Sequence, residues 1–300
     1  MNGQSVPVSN LDKIFYPAVG FTKGQVIDYY IRVSPALLPH LKDRPLTLKR
    51  YPDGVEGGFF YEKRCPPYRP KWVQTIPVWS DRKEGEIHFC AANDLPTLVW
   101  AANLGDLELH TSLAKGKKID EPTMMVFDLD PGPPANIIDC SKAAFWLKEK
   151  LDQAGLQSFP KTSGSKGLQL YVPLNTATSY EVTKPYAQAL AQALEREHPE
   201  AIVSRMEKRL RAGKVFVDWS QNDRHKTTVC VYSLRAKEKP SVSTPVTWEE
   251  VANALKKADP GKLTFLSGEV LKRVEEQGDL FEPVLKLKQR IPKNNNTPDK

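Results

Sequence analysis

Residues 124–132 read MMVFDLDPG. The apolar density marks a β-strand, and Pro131 with Gly132 turns the chain at its end. In a strand, positions two apart share a face, so Asp128 and Asp130 project together while Phe127 and Leu129 point to the other side. Two carboxylates held this close repel in a dry site unless cations compensate them, an arrangement that suits divalent metal ions. An isolated DxD is also common among surface and turn acids. A third acid, Asp218, closes the apolar stretch KVFVDW (214–219), and three carboxylates can support two metals, one at the attacking oxygen and one at a triphosphate.

Outward from this strand, further apolar stretches occur at IHFCA (87–91), LQLYVPL (168–174) and KVFVDW, and LPTLVWAANLGDLELHTSL (95–113) reads as a helix followed by a short strand. Helix patterns occupy CSKAAFWLKEKLDQAG (140–155) and VTKPYAQALAQALEREHP (182–199). TKGQVIDYYIRVSPALLPHL (22–41) begins with a capping box of Thr22 and Gln25, and Pro35 is expected to end or bend it. Thr247 and Glu250 signal a second capping box. Strands interspersed with helices imply a mixed α/β or α+β architecture. The stretch 44–72, basic and aromatic with Gly and Pro, reads as short strands and turns suited to phosphates and bases.

The 300 residues carry 43 Lys and Arg against 36 Asp and Glu, a net +7 that permits a polyanionic partner. The hydrophobic fraction of 40% is that of a folded protein. No apolar run reaches the roughly 18 residues of a membrane span, and no secretory signal opens the chain, so a cytoplasmic location is expected. Cys65, Cys90, Cys140 and Cys230 form no CxxC pair and read as ordinary thiols, without a disulfide scaffold or zinc ribbon. Residues 291–300 are expected to be a flexible tail.

Between the acids lies KTSGSKGLQLYVPL (161–174). Its small residues permit a turn whose amides face phosphate oxygens, with Ser163 adding a hydroxyl and Lys166 a charge. It lacks the Walker A order, and a plain glycine hairpin entering a core strand fits the pattern equally.

FDLDPG, TSGSKGLQLYVPL and FVDWSQN together resemble the three signature regions of the polymerase domain of bacterial DNA ligase D, of the archaeo-eukaryotic primase superfamily. The likeness runs from LDKIFYP (11–17) through PVTWEEV (245–251) and beyond. It implies an α+β primase-polymerase core with an RRM-like sheet and an N-terminal α/β subdomain, approximately residues 1–110 and 111–290 of a single module. By the same resemblance Asp128, Asp130 and Asp218 are metal-binding catalytic acids. His110, Ser163, Lys166, Gln169, Arg235, Lys49 and Arg50 belong to the nucleotide site. Asn10, Lys13 and Lys23 match positions that recognise a DNA 5′ phosphate, and Phe59 and Phe60 match aromatics that contact template bases. The family pattern SGxKGxH has histidine where this chain has Gln169, which hydrogen-bonds but carries no positive charge.

The resemblance implies a DNA-directed nucleotidyltransferase (EC 2.7.7-like) that uses divalent metal, manganese with magnesium as the alternative. It would extend a primer with nucleoside triphosphates, ribonucleotides preferred, at gaps or double-strand breaks with a 5′ phosphate during nonhomologous end joining. A Ku-like protein and a separate ligase or ligase domain are the implied partners, the location is nucleoid-associated, and no ligase activity is expected in this chain. The alternative is a non-catalytic DNA-end binding or bridging module with a polymerase fold.

Overall fold

The computed structural model describes residues 4–292, so positions 293–300 of the expected tail lie outside the described residues. The chain opens with β1 (Ile14–Tyr16), β2 (Phe21–Thr22) and the long helix α1 (Lys23–Leu41). The Thr22–Gln25 capping box forms as the sequence predicts. Pro35 neither ends nor replaces α1, which continues through Pro35 and Pro39. The carbonyl of Ile31, which the Pro35 nitrogen cannot reach as a donor, instead accepts from the Ser34 hydroxyl at 2.8 Å.

Then come β3 (Leu46–Arg50), β4 (Phe60–Glu62), β5 (Thr75–Ser80), β6 (Gly85–Cys90), α2 (Leu95–Asn103) and β7 (Asp106–Thr111). They continue as β8 (Met124–Pro131), α3 (Ile137–Gln153), β9 (Phe159–Thr162), β10 (Leu168–Pro173) and α4 (Tyr180–Glu197). The last elements are β11 (Ile202–Val203), β12 (Val215–Asp218), β13 (Thr228–Val229), α5 (Trp248–Lys257), α6 (Ser267–Gln277) and α7 (Glu282–Lys286). α3 starts earlier than its apolar pattern suggests, because Asn136 and Asp139 form a capping box ahead of it.

One sheet has the order β13-β7-β3-β6-β5 with β4 paired to β3, and the other the order β11-β12-β8-β10-β9. β8 separates two hydrophobic cores by its own alternation. Met125, Phe127 and Leu129 pack with Ala143, Leu147 and Ala191 of α3 and α4. Met124 and Val126 face the other way, into the core of α1, α2 and the first sheet. Asp128 and Asp130 share that second face, which turns toward β13 and β7 across a cleft. The segment after β13 (Cys230, Val231, Tyr232 and Leu234), α6 and α7 come late in the chain yet bury side chains in the first core.

The cysteines differ from the reading as ordinary thiols. Cys65 and Cys90 form a disulfide, with Cα atoms 4.8 Å apart, tying the segment after β4 to the end of β6. The 25-residue separation carries no local signature, because the pairing is set by the Cys65 amide docking on the His88 carbonyl. Cys140 and Cys230 are free and buried.

Candidate active site

Strand register gathers the acids. Asp218 of β12 and Gln169 of β10 both lie opposite Asp128 of β8, and Lys161 of β9 lies opposite Gln169. Opposed residues of antiparallel strands share a face, so Asp218, Asp128, Gln169 and Lys161 form one row across four strands, with Asp130 two residues along. Asp128, Asp130 and Gln169 of this row line a cleft of about 520 Å³ whose walls also carry His110, Ser163, Lys166 and Arg235.

Burial and the neighbouring Asp130 carboxylate push the Asp128 carboxyl above the ordinary range, and one of its oxygens is buried with no hydrogen-bond partner. Asp130 at the rim is likewise raised, by burial and by Asp218. An orphaned buried oxygen beside a second carboxylate is the donor set that suits a hard divalent cation. Asp218 stands in register but its oxygens are engaged. Oδ1 accepts from the Ser220 amide at 2.9 Å and hydroxyl at 2.5 Å, and Oδ2 from Gln221 at 2.8 Å. Among the described residues no three acidic, His or Cys side chains are therefore already gathered as a metal cage. The Asp128–Asp130 pair fits a cation, and Asp218 adjoins it in the sheet.

The opposite wall is organised by Glu108, which sequence reasoning missed. Its Oε2 lies 3.1 Å from Lys49, 3.1 Å from His110 and 3.4 Å from Arg235. Burial works to raise its pKa, but these three neighbours hold the carboxyl well below the usual range. Burial lowers the His110 pKa despite Glu108. The signal was present in LELHT, where Glu108 and His110 stand two apart in an apolar strand as Asp128 and Asp130 do.

The SGSKG loop joins β9 to β10. The Ser163 hydroxyl accepts from the amides of Ser165 and Gly167, and Arg235 donates to the Ser163 carbonyl. A Cβ on Gly167 would sit 2.0 Å from the Leu129 carbonyl oxygen, so glycine lets this loop pack against the acidic strand. Lys166 is exposed at the cleft. Gln221 and Lys226, neither singled out from sequence, also line the cleft, carried there by the segment between β12 and β13.

The basic and aromatic positions divide. Lys49 lies on the cleft side, bonded to Glu108, with its Nζ 4.7 Å from the Phe59 ring centre. Arg50 points to the other side of β3, donating to Glu62, Tyr68 and the Leu104 carbonyl, with Phe60 beside it. The structure therefore does not bring Arg50 to the cleft. Phe59 and Phe60 are both exposed, and Phe59 stacks on Tyr51.

Asn10, Lys13 and Lys23 form a separate group at the start of α1. The Lys13 amide donates to the Asn10 carbonyl and the Lys23 amide to the Lys13 carbonyl. Lys13 Nζ binds Asp53 and the Pro52 carbonyl, and Lys23 Nζ binds the Ser9 carbonyl at 2.7 Å. Burial, and after it the nearby Lys13 charge, lower the Lys23 pKa.

Residues 22–281 match the primase-polymerase domain family of LigD. The chain is 38% identical over 283 residues to the multifunctional non-homologous end joining protein LigD of Mycolicibacterium smegmatis, covering 94% of this chain and 36% of that protein. It is 35% identical over 274 residues to the bifunctional non-homologous end joining protein LigD of Bacillus subtilis, covering 91% and 43%. The polymerase domain from Mycobacterium tuberculosis ligase D, solved in complex with DNA, superposes with a TM-score of 0.86 at 37% identity, over 94% of this chain and 98% of that one. The chain thus spans less than half the length of these curated relatives.

Proposed function

The chain belongs to the LigD primase-polymerase domain family, and on that premise we propose that it is a nucleotidyltransferase that extends DNA 3′ ends at gaps and breaks during nonhomologous end joining. The observation that carries this reading is the Asp128–Asp130 pair lining the cleft, with Asp218 beside it in strand register and Ser163, Lys166 and Arg235 lining the same cleft.

Family membership implies divalent metal, which Asp128, Asp130 and Asp218 would hold, manganese in this reading. Bound there, it would supply the positive charge that lets the neighbouring carboxylates ionise together and that balances charge developing on the transferred phosphate. The protein's own part is alignment. Lys166 and Arg235 bring positive charge to the triphosphate end of the cleft, and Glu108 fixes Arg235 and His110 against the other wall. In the reaction the primer 3′ oxygen bonds to the α-phosphorus, the bond from that phosphorus to the α–β bridging oxygen breaks, and pyrophosphate leaves. The 3′-hydroxyl proton passes to solvent. Lys13, Lys23 and Asn10 would hold the 5′ phosphate beyond a gap, while exposed Phe59 and Phe60 would meet template bases. A Ku-like protein and a ligase activity would complete the repair.

The test is primer extension on gapped DNA with a 5′ phosphate, manganese, and each ribo- or deoxyribonucleotide. Addition with ribonucleotides favoured supports the proposal. Stable DNA binding without any addition would make the chain a bridging module instead.

A further inference from the structure

We infer that Lys161 is a positioning residue that locks Gln169 as a hydrogen-bond donor toward the cleft, and so sets the site's affinity for the incoming nucleotide. The inference rests on the nucleotidyl-transfer reading above.

A glutamine amide has two orientations of equal shape and opposite polarity, so what it presents to a ligand depends on what holds its other end. Lys161 is fully buried. Its Nζ lies 2.6 Å from Gln169 Oε1 and 2.6 Å from Ser243 Oγ, and 5.4 Å from the centre of the Tyr171 ring. The Ser243 hydroxyl spends its one hydrogen on the Thr162 carbonyl at 3.0 Å, so toward Lys161 it accepts. Burial pushes the Lys161 pKa down to about 7 against the opposing Asp128 charge; in its ammonium form it has donors only, which turns the Gln169 carbonyl to Lys161 and its NH₂ group away. That NH₂ donates to Thr228 Oγ1 at 3.2 Å, on the far wall of the cleft, and faces Asp128. Flipped, the amide would set its carbonyl oxygen against the Asp128 carboxylate and any phosphate beside it, acceptor against acceptor. Gln169 needs a cation behind it, and Lys161 is next in the row.

The test measures equilibrium binding of a non-extendable ribonucleoside triphosphate to the complex of full chain, manganese and gapped DNA with a 3′-deoxy primer end, alongside steady-state addition on normal primer. Lys161→Met should weaken nucleotide binding roughly five- to tenfold, as for the loss of one oriented hydrogen bond. KM should rise in step and kcat should change less than about twofold. Gln169→Ala should cost as much, and Lys161→Met in that background should add nothing further. Gln169→Glu keeps an acceptor for Lys161, and so the fold, but removes the donor. It should bind nucleotide at least as weakly as Lys161→Met, and it decides the question if Lys161→Met does not fold. Wild-type affinity in Gln169→Glu, or a Lys161→Met loss undiminished in the Gln169→Ala background, would overturn the proposal. Nucleotide bound but not added by wild type overturns the nucleotidyl-transfer reading while this binding test stands; no nucleotide bound by wild type overturns both.

Discussion

The two walls of the cleft are built by different means. On the five-stranded sheet the chemistry is a consequence of register: once β12 and β10 pair with β8, Asp218 and Gln169 must flank Asp128 on one face. On the six-stranded sheet the cleft side chains hang on a buried carboxylate, Glu108, which gathers Lys49, His110 and Arg235 from three separate segments. The first wall is anchored by backbone pairing and a dry core, the second by a charge network. A site built this way places its acids by backbone pairing and its cations by side-chain contacts.

The largest predicted effect contrasts the two walls by packing. Phe127 lies fully buried behind the acids and Phe59 is 54% exposed at the edge of the other sheet. Phe127→Ala should lose about 3–5 kcal/mol of stability in denaturant unfolding, and Phe59→Ala less than about 0.5 kcal/mol. Phe59→Ala should still weaken binding to template-containing DNA. Equal stability losses would show that the two regions are not built as described.

The N-terminal lysines, apart from both walls at the start of α1, test whether the charge there is specific or diffuse. Lys13→Ala with Lys23→Ala should reduce affinity for 5′-phosphorylated gaps roughly tenfold more than for 5′-hydroxyl gaps. A general loss of attraction would weaken both alike and show as a reduced salt dependence. Retention of the full phosphate preference would remove these lysines from the phosphate site.

A smaller, pH-dependent effect separates the regions by sign. Asp128 has a raised carboxyl pKa, through burial and Asp130, so its ionised form costs stability above that value. Asp279 is depressed: burial opposes it, but hydrogen bonds from His40 at 2.8 Å and Tyr232 at 2.7 Å prevail. Its contribution is present above the ordinary carboxylate range and lost as pH falls through the depressed value. In metal-free protein near pH 8, Asp128→Asn should raise Tm and Asp279→Asn should lower it, each by roughly 3 °C, with the Asp279 effect fading in acid. Shifts of the same sign would contradict this contrast.

The same difference explains what the sequence disclosed. The acids were legible because DLD and VFVD place carboxylates at the ends of apolar strands, where period two fixes the face. The capping boxes at Thr22 and Thr247 were legible because they are local. The grip of Glu108 on Lys49 and Arg235 and the Cys65–Cys90 bond were not, since each depends on a partner distant in the chain. Pro35 does not end α1, and the Ile31 carbonyl it leaves without a backbone donor takes the Ser34 hydroxyl, a side-chain bond that no propensity describes. Arg50 sits beside Lys49 in sequence and on the opposite face in space, the ordinary result of strand alternation.

The central claim is that the acid row performs nucleotide addition while DNA is held elsewhere. Its most direct test compares wild type and Asp128→Asn on one 5′-phosphorylated gapped DNA at subsaturating manganese, measuring both the single-turnover rate of addition and the affinity for DNA. The account predicts a rate lower by at least roughly a hundredfold with affinity within about twofold of wild type. A near-wild-type rate for Asp128→Asn, in protein that binds DNA normally, would contradict it.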